Sequence, residues 1–399
     1  MTSSRHHDRR QGHIRVLAAV LVSVLLASCM DESETRIDTG PTGVTAFAWG
    51  LPSGIPLPLE PAENPMSEAK FQLGRHLFYD RRLSGNGSQS CSSCHRQSLA
   101  FTDGRALPTG STGQVLARNA QSLVNNAYNA TLTWANPSLT QLEQQITIPL
   151  FSEDPVEHGI TDANRDTIMQ SLRDEPVYGS LFGEAFPEDR DPFTYTNVVR
   201  ALASFVRGLN SFDSAFDRFQ RGDSTAISDA ARRGQQLFDG ERLECFHCHA
   251  GYNFSDSTID RTTFFIERPF HNTGLFNIGG TGAFPENNTG LFDITGIATD
   301  MGKFRAPTLR NIAVTAPYMH DGSMATLEEV IRFYAAGGRN ITSGPHAGDG
   351  RLSPFKDSLT AGFTISDDEI SDVRAFLESL TDSGFLTHPR FSNPWTPSP

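Results

Sequence analysis

Apolar residues recur at helical spacing in two well-separated parts of the chain. The first set is Val198, Leu202, Phe205 and Leu209, and the second is Ile370, Val373, Phe376 or Leu377, and Leu380. Residues three or four positions apart share one face of a helix, so each set predicts an amphipathic helix. Few segments alternate with the period of two that is typical of strands. The pattern therefore predicts a mainly α protein.

A second helix is predicted upstream of each amphipathic one. Ser67-Glu68-Ala69 and Ser228-Asp229-Ala230 each offer a capping serine, and similar residues follow both. These are Gly74, Leu77-Phe78 and Asp80 in the first segment and Gly234, Leu237-Phe238 and Asp239 in the second. Such a repeat predicts two domains of one kind, at about 60–215 and 216–387, followed by a tail at 388–399.

The charge balance of the chain bears on which kinds of molecule it can bind. The 399 residues carry 33 Lys+Arg against 46 Asp+Glu, a formal charge of −13. Binding to phosphate backbones needs a basic face, so this balance argues against nucleic acid.

The N-terminal 28 residues have the pattern of an export signal. Arginines precede an apolar run at 16–27 that is too short for a permanent membrane span. The run ends in Leu26-Ala27-Ser28-Cys29, which resembles the lipobox of bacterial lipoproteins, where the cysteine is acylated. The alternative is an ordinary cleaved signal. We expect a periplasmic protein that is lipid-anchored to a membrane through Cys29, with a flexible tether at 29–59.

The other four cysteines form two copies of one motif. Cys91-Ser92-Ser93-Cys94-His95 and Cys245-Phe246-His247-Cys248-His249 are both C-x-x-C-H, the signature of covalent c-type haem attachment. The two thiols reach the haem vinyl groups, and the adjacent histidine supplies an axial nitrogen to iron. A disulfide would not require the histidines, and a zinc site would not repeat as two separate motifs. The sequence therefore predicts two covalently bound haems c, one in each cytochrome c-like domain.

Further motifs resemble those of the bacterial di-haem cytochrome c peroxidase superfamily, which includes the MauG branch. They are Gly74-x-x-Leu77-Phe78-x-Asp80, Phe101-x-Asp103-Gly104, the run from Lys303 to Asn311, and Thr315-Ala316-Pro317-Tyr318-Met319-His320-Asp321-Gly322. The resemblance covers about residues 66–381. Within the branch, the lipobox and Tyr334–Gly338 are similar to MbnH-type enzymes.

The resemblance implies that the sixth coordination position differs between the two haem irons. Peroxidases of the superfamily carry a histidine after the first motif, but no histidine occurs from Arg96 to Glu157. This implies an open iron at the His95 haem, although His76 and His158 stay as alternatives. At the His249 haem, the register places Tyr334 where peroxidases have a methionine. A hard phenolate oxygen favours the higher oxidation states of iron. In the alternative, Met301, Met319 or Met324 is the ligand.

The resemblance also assigns the distal and inter-haem residues. Glu157 would move protons during peroxide cleavage, beside Gln145 (or Gln144) and Pro149. Trp134 would lie between the haems, although a tryptophan in a loop more often packs in a core. Asn119, Thr315 and Pro317 match the family's calcium site, and hard oxygen ligands suit Ca²⁺. Arg305 and Arg310 would pair with haem propionates.

Together these features imply an H2O2-dependent di-haem oxidase that reaches a bis-Fe(IV)-type state and oxidises a tryptophan on a partner protein. MbnH-type enzymes convert tryptophan to kynurenine in a copper-binding partner, MbnP. One alternative is a peroxidase that takes electrons from a small cytochrome or cupredoxin. Another is a di-haem cytochrome that only transfers electrons.

Overall fold

A computed structural model describes residues 47–395 of the chain, and its regular structure is almost entirely helical. The helices are α1 (Glu68–Tyr79), α2 (Cys91–Cys94), α3 (Leu142–Phe151), α4 (Arg165–Arg173), α5 (Pro176–Ala185), α6 (Tyr195–Arg207), α7 (Ala215–Gln220), α8 (Asp229–Phe238), α9 (Phe292–Thr295), α10 (Leu327–Ala336), α11 (Asp367–Ser379) and α12 (Ser383–Thr387). The strands β1 (Asn340–Ile341) and β2 (Gly348–Asp349) form one short antiparallel pair. The prediction of a mainly α protein is confirmed.

The predicted serine caps are in place. Ser67 accepts a hydrogen bond from the backbone nitrogen of Lys70 at the start of α1, and Ser228 accepts one from Ala231 at the start of α8. Each bond satisfies one of the free N–H groups of a helix's first turn. The two segments that look alike in sequence therefore begin their helices in the same way.

Two helix pairs repeat the same close packing. α1 packs against α6, and α8 packs against α11. A Cβ added at Gly74 would overlap the carbonyl oxygen of Ala201 on α6, and a Cβ at Gly234 would overlap that of Asp372 on α11. Only glycine permits this approach of one backbone to another. The structure thus repeats the arrangement that the sequence duplication suggested.

Buried apolar side chains form two clusters. One is built around Phe71, Phe78 and Phe205 from α1 and α6, and the other around Phe238 and Phe376 from α8 and α11. The division into domains at 60–215 and 216–387 stays a prediction, because the described residues all belong to one compact unit.

The end of the chain packs on the first cluster. Phe385 and Phe391 are buried there, and Arg390 forms two hydrogen bonds with the Glu68 carboxylate, at 2.7 and 3.0 Å. The Trp395 indole donates to the carbonyl of His76 at 3.0 Å. The tail therefore joins the last residues to the first helix.

Long loops connect the helices; the first cysteine motif begins on α2, and the second begins with a short 3₁₀ turn at Cys245–His247. Between 47 and 395, no helix has the length and apolar character needed to cross a membrane. Cys29 and the predicted signal at 1–28 lie outside the described residues, as does most of the predicted tether.

Candidate active site

The two cysteine motifs have matching local geometry. In each, the histidine's backbone nitrogen donates to the carbonyl of the first cysteine at 3.0 Å, His95 to Cys91 and His249 to Cys245. None of the four cysteines of the two motifs is in a disulfide. One short turn therefore presents two thiols and an imidazole together, as covalent haem attachment requires.

Both histidines are held in the form that binds iron. The Nδ1 of His95 bonds the carbonyl of Phe101 at 2.7 Å, and the Nδ1 of His249 bonds that of Phe254 at 3.0 Å. A carbonyl only accepts, so Nδ1 carries the hydrogen and Nε2 keeps the lone pair for a metal. Burial lowers the pKa of both rings, which favours the neutral form that a metal ligand needs.

A large cavity adjoins the second motif. It encloses about 2050 Å³, including its opening to solvent, and is lined by Cys245, Cys248, His249 and Tyr334. Both thiols, the imidazole and the phenol line one space, and this donor set fits a haem.

Tyr334 reaches this cavity from α10. Burial raises the pKa of its phenol well above the usual range. Among the described residues, no group forms a hydrogen bond with the hydroxyl. Met319 also lines the cavity, whereas Met301 and Met324 do not. The oxygen of Tyr334 is thus available to a metal, and Met319 is the methionine that competes with it.

The surroundings of Arg305 also indicate whether the cavity suits a haem. Its side chain is only 4% exposed, and its nitrogens bond neutral acceptors, the strongest being the side-chain oxygen of Gln121 at 2.7 Å. Burial lowers the pKa of the guanidinium to about 10. A buried cation without a carboxylate partner in the described chain is costly, and a haem propionate would supply the missing anion.

Glu157 lies in the pocket of the first motif. Burial raises its pKa to about 7. Burial also raises the pKa of Cys91 to about 12 and that of Cys94 to about 11, and the Glu157 charge adds to both shifts. The carboxyl group therefore shares the thiols' surroundings, with a pKa suited to proton transfer near neutral pH.

The helix α3 carries two more predicted residues, Gln145 and Pro149. The backbone nitrogen of His158 donates to the carbonyl of Pro149 at 2.9 Å, which fixes the Glu157 loop against the end of α3. The Oε1 of Gln145 is buried and has no hydrogen-bond partner, whereas Gln144 is exposed. The structure thus turns Gln145 inward and Gln144 outward.

Trp134 and the predicted calcium ligands also come together. The Trp134 indole donates to the carbonyl of Asn119 at 2.9 Å, and both line the large cavity with Thr315 and Pro317. The Nδ2 of Asn119 donates to the carbonyl of Arg105 at 2.7 Å, so this bond does not use its Oδ1. The arrangement offers neutral oxygens to a hard cation.

Comparisons with known proteins decide the family. Residues 68–225 match the family model described as di-haem cytochrome c peroxidase. The chain is 33% identical over 392 residues to cytochrome-c peroxidase IdrP1 of Denitromonas iodatirespirans, covering 94% of this chain and 96% of the relative. This chain belongs to the di-haem cytochrome c peroxidase and MauG family. It is therefore an oxidoreductase of a family whose cofactor is haem.

Two further relatives lie on the MauG side of the family. The methylamine utilization protein MauG of Methylophilus methylotrophus is 32% identical over 338 residues, covering 84% of this chain and 88% of the relative. A crystal structure of a MauG-like protein associated with microbial copper homeostasis is 52% identical. It superposes with a TM-score of 0.86 and covers 88% of this chain and 100% of that one.

One predicted residue of this chain already has a carboxylate partner. The guanidinium of Arg310, which is predicted to pair with a propionate, bonds both carboxylate oxygens of Asp217, at 2.8 and 3.0 Å. It also lies over the rings of Phe212 and Phe254, 4.5 and 5.8 Å from their centroids. Asp217 thus neutralises Arg310, and the pairing of Arg310 with a propionate stays a prediction.

The two alternative histidines of the first pocket are placed differently. The Nδ1 of His76 bonds the carbonyl of Gln72 in its own helix at 2.8 Å, and its ring packs on Trp395. His158 is buried, and its Nδ1 bonds the carbonyl of Leu83 at 2.7 Å. The charge of His95 contributes to the lowered pKa of His158, after burial. Of the two, His158 is the one near the first motif.

Sequence reasoning missed two histidines beside the large cavity. His271 bonds Asp357 through Nδ1 and Asp256 through Nε2, both at 2.7 Å. His320 stacks on Phe304 with centroids 3.6 Å apart, and its buried Nε2 has no partner. Burial lowers the pKa of His320 to about 3, so the ring is neutral. His320 belongs to the family motif from Thr315 to Gly322, which could have pointed to it. Asp256 and Asp357 are too far apart in sequence for their contacts with His271 to be predicted.

Proposed function

We propose that this protein uses H2O2 to oxidise a tryptophan on a partner protein. The observation that carries the proposal is the contrast between the two pockets. The first pairs a thiol–imidazole motif with a carboxyl group of pKa about 7, and the second pairs such a motif with a buried phenol. The 52% identity to a MauG-like protein supports the same conclusion.

In the first pocket, the protein's part is proton movement. When bound there, haem supplies the redox chemistry that reduces peroxide. Glu157 takes the proton from the incoming peroxide and returns it to the departing oxygen, so that water leaves. The inward side chain of Gln145 orients the peroxide with its buried Oε1.

In the second pocket, the protein stores and passes on oxidising power. Tyr334 and His249 would hold the iron, and an oxygen donor at this place favours higher oxidation states. Trp134, fixed to Asn119 by its indole hydrogen bond, would connect the two pockets. We propose that Asn119, Thr315 and Pro317 bind Ca²⁺ and so hold this connection in place.

The periplasmic location, the lipid anchor at Cys29 and the partner are also proposals. The relative of known structure is associated with copper homeostasis, so we propose an MbnP-like copper-binding partner. A lipid anchor at Cys29 would keep the enzyme at the membrane surface.

The test is oxidation of the partner itself. The haem-loaded protein is incubated with H2O2 and a candidate MbnP-like copper-binding protein, and partner peptides are analysed by mass spectrometry. We expect oxidation of one tryptophan, dependent on both enzyme and peroxide and lost in Tyr334→Met. Rapid peroxide consumption with a reduced cytochrome or cupredoxin, without tryptophan oxidation, would instead establish the electron-donor peroxidase.

A further inference from the structure

Tyr252 has a hydrogen bond that most tyrosines of this chain lack. All seven tyrosines lie within the described residues. Four donate to backbone carbonyls, Tyr334 has no partner, and only Tyr178 and Tyr252 donate to a carboxylate. The Tyr252 hydroxyl lies 2.7 Å from Oδ2 of Asp260. A phenol that loses an electron must also lose its proton, and a carboxylate accepts that proton whereas a carbonyl does not.

Tyr252 belongs to the loop that follows His249. Two residues lie between them along the chain, so their Cα atoms are at most about 11 Å apart. Phe254, two residues further, accepts the hydrogen bond from His249. The carbonyl of Tyr252 accepts from Nε of Arg310 at 2.8 Å, and Arg310 lines the large cavity. The phenol is thus close to the second pocket without being part of it.

The second tyrosine–carboxylate pair lies in the other cluster and is part of an ion pair. Tyr178 belongs to α5 in the first cluster. It donates to Asp80 at 2.7 Å, and Asp80 also bonds the Arg82 guanidinium through both oxygens at 3.0 Å. Asp260 has no such cation: its other acceptor bonds come from Thr262, and the neighbouring Arg261 pairs with Glu60.

Tyr252 is half-buried and lies close to an exposed loop. Its ring is half-buried and meets Tyr128 edge-on at 5.4 Å. Asp260 starts a loop in which Phe264 and Phe265 are 88% and 78% exposed. An oxidised Tyr252 would therefore lie between the haem pocket and a solvent-facing loop.

Building on the proposed function, we infer that Tyr252 and Asp260 form a redox relay for the second pocket. Tyr252 gives one electron to the peroxide-oxidised di-haem centre, which is thereby reduced by one electron, and its phenolic proton moves to Asp260. The resulting tyrosyl radical takes one electron from the partner's tryptophan and recovers the proton from Asp260. Two such cycles use the two oxidising equivalents of one H2O2.

The experiment is freeze-quench EPR of the haem-loaded protein after one equivalent of H2O2, without partner. We expect a tyrosyl radical whose hyperfine splitting collapses when the protein is grown on ring-deuterated tyrosine. Tyr252→Phe should abolish this signal, and Asp260→Asn should greatly reduce it. Tyr195→Phe is the matched control, because that phenol bonds the carbonyl of Arg165 and should leave the signal unchanged.

The outcomes separate this inference from the proposed function. A normal optical response of the haems to H2O2, with no tyrosyl signal or one that persists in Tyr252→Phe, overturns the relay alone. No optical response in the wild type contradicts the proposed function itself. Haem content and far-UV circular dichroism of each variant show that it has folded.

Discussion

At the scale of single residues, Glu157 has the clearest chemistry. Its carboxyl group is buried beside the first motif's thiols, and burial alone raises its pKa to about 7. The neutral acid therefore predominates below that pH and the carboxylate above it. A group that must both take and return a proton works best when its pKa lies near the working pH.

The first prediction concerns Glu157→Gln. Only the carboxylate can accept the peroxide's proton, so the wild-type rate of reaction with H2O2 should rise with pH up to about 7 and then level off. The glutamine variant should lose this pH dependence and react about 10²–10⁴-fold more slowly, the usual contribution of a general acid–base. Stopped-flow measurement of the haem Soret band checks both results.

Glu153→Gln is the matched control, because Glu153 is exposed on the same loop and should react as the wild type does. A Glu157→Gln variant that keeps the wild-type rate and pH profile would show that another group moves the proton.

Residues fixed by local spacing could be predicted, and residues fixed by distant contacts could not. The C-x-x-C-H spacing alone brings Cys91, Cys94 and His95 into one turn. By contrast, the choice between Gln144 and Gln145 depends on how α3 faces the pocket. The partner of Arg310 depends on Asp217, 93 residues away in sequence.

At the scale of elements, the repeated helix pairs organise each cluster of apolar side chains. Apolar periodicity and serine caps predicted α1, α6, α8 and α11 because those signals are local. The contact of α1 with α6 was not predicted. Its physical basis is Gly74, where the carbonyl of Ala201 occupies the place of a side chain.

The second prediction concerns Gly74→Ala and Gly234→Ala. Each added methyl group would force two packed backbones apart, and overpacking of this kind typically costs about 1–3 kcal/mol of unfolding free energy. Denaturant titration of the haem-loaded protein measures the loss. Gly179→Ala on α5 is the control, since nothing lies within 4 Å of its added Cβ and alanine favours a helix.

Unchanged stability in both Gly74→Ala and Gly234→Ala would mean that the helix pairs do not hold the clusters together. The loops between the helices were beyond prediction in detail, because the cavity walls come from segments that are remote in sequence. His271 shows this, since its two aspartates lie 15 and 86 residues away.

At the scale of the whole molecule, the duplicated halves differ in their chemistry. The first cysteine motif lies beside the titratable carboxyl group of Glu157, and the second lies beside the phenol of Tyr334. The sequence predicted this contrast through family register, and the structure brings both groups to their motifs. The return of the tail to α1 through Arg390 and Glu68 was not predicted, because charge pairs carry no signal over such separations.

EPR of the resting, haem-loaded ferric protein measures this difference between the halves. An iron open on one side gives a high-spin signal, and an iron held by His249 and Tyr334 should give a low-spin one. We predict both signals in equal amounts, with Tyr334→His altering only the low-spin one. Two low-spin signals and no high-spin signal, as expected if His158 binds the first iron, would contradict the account.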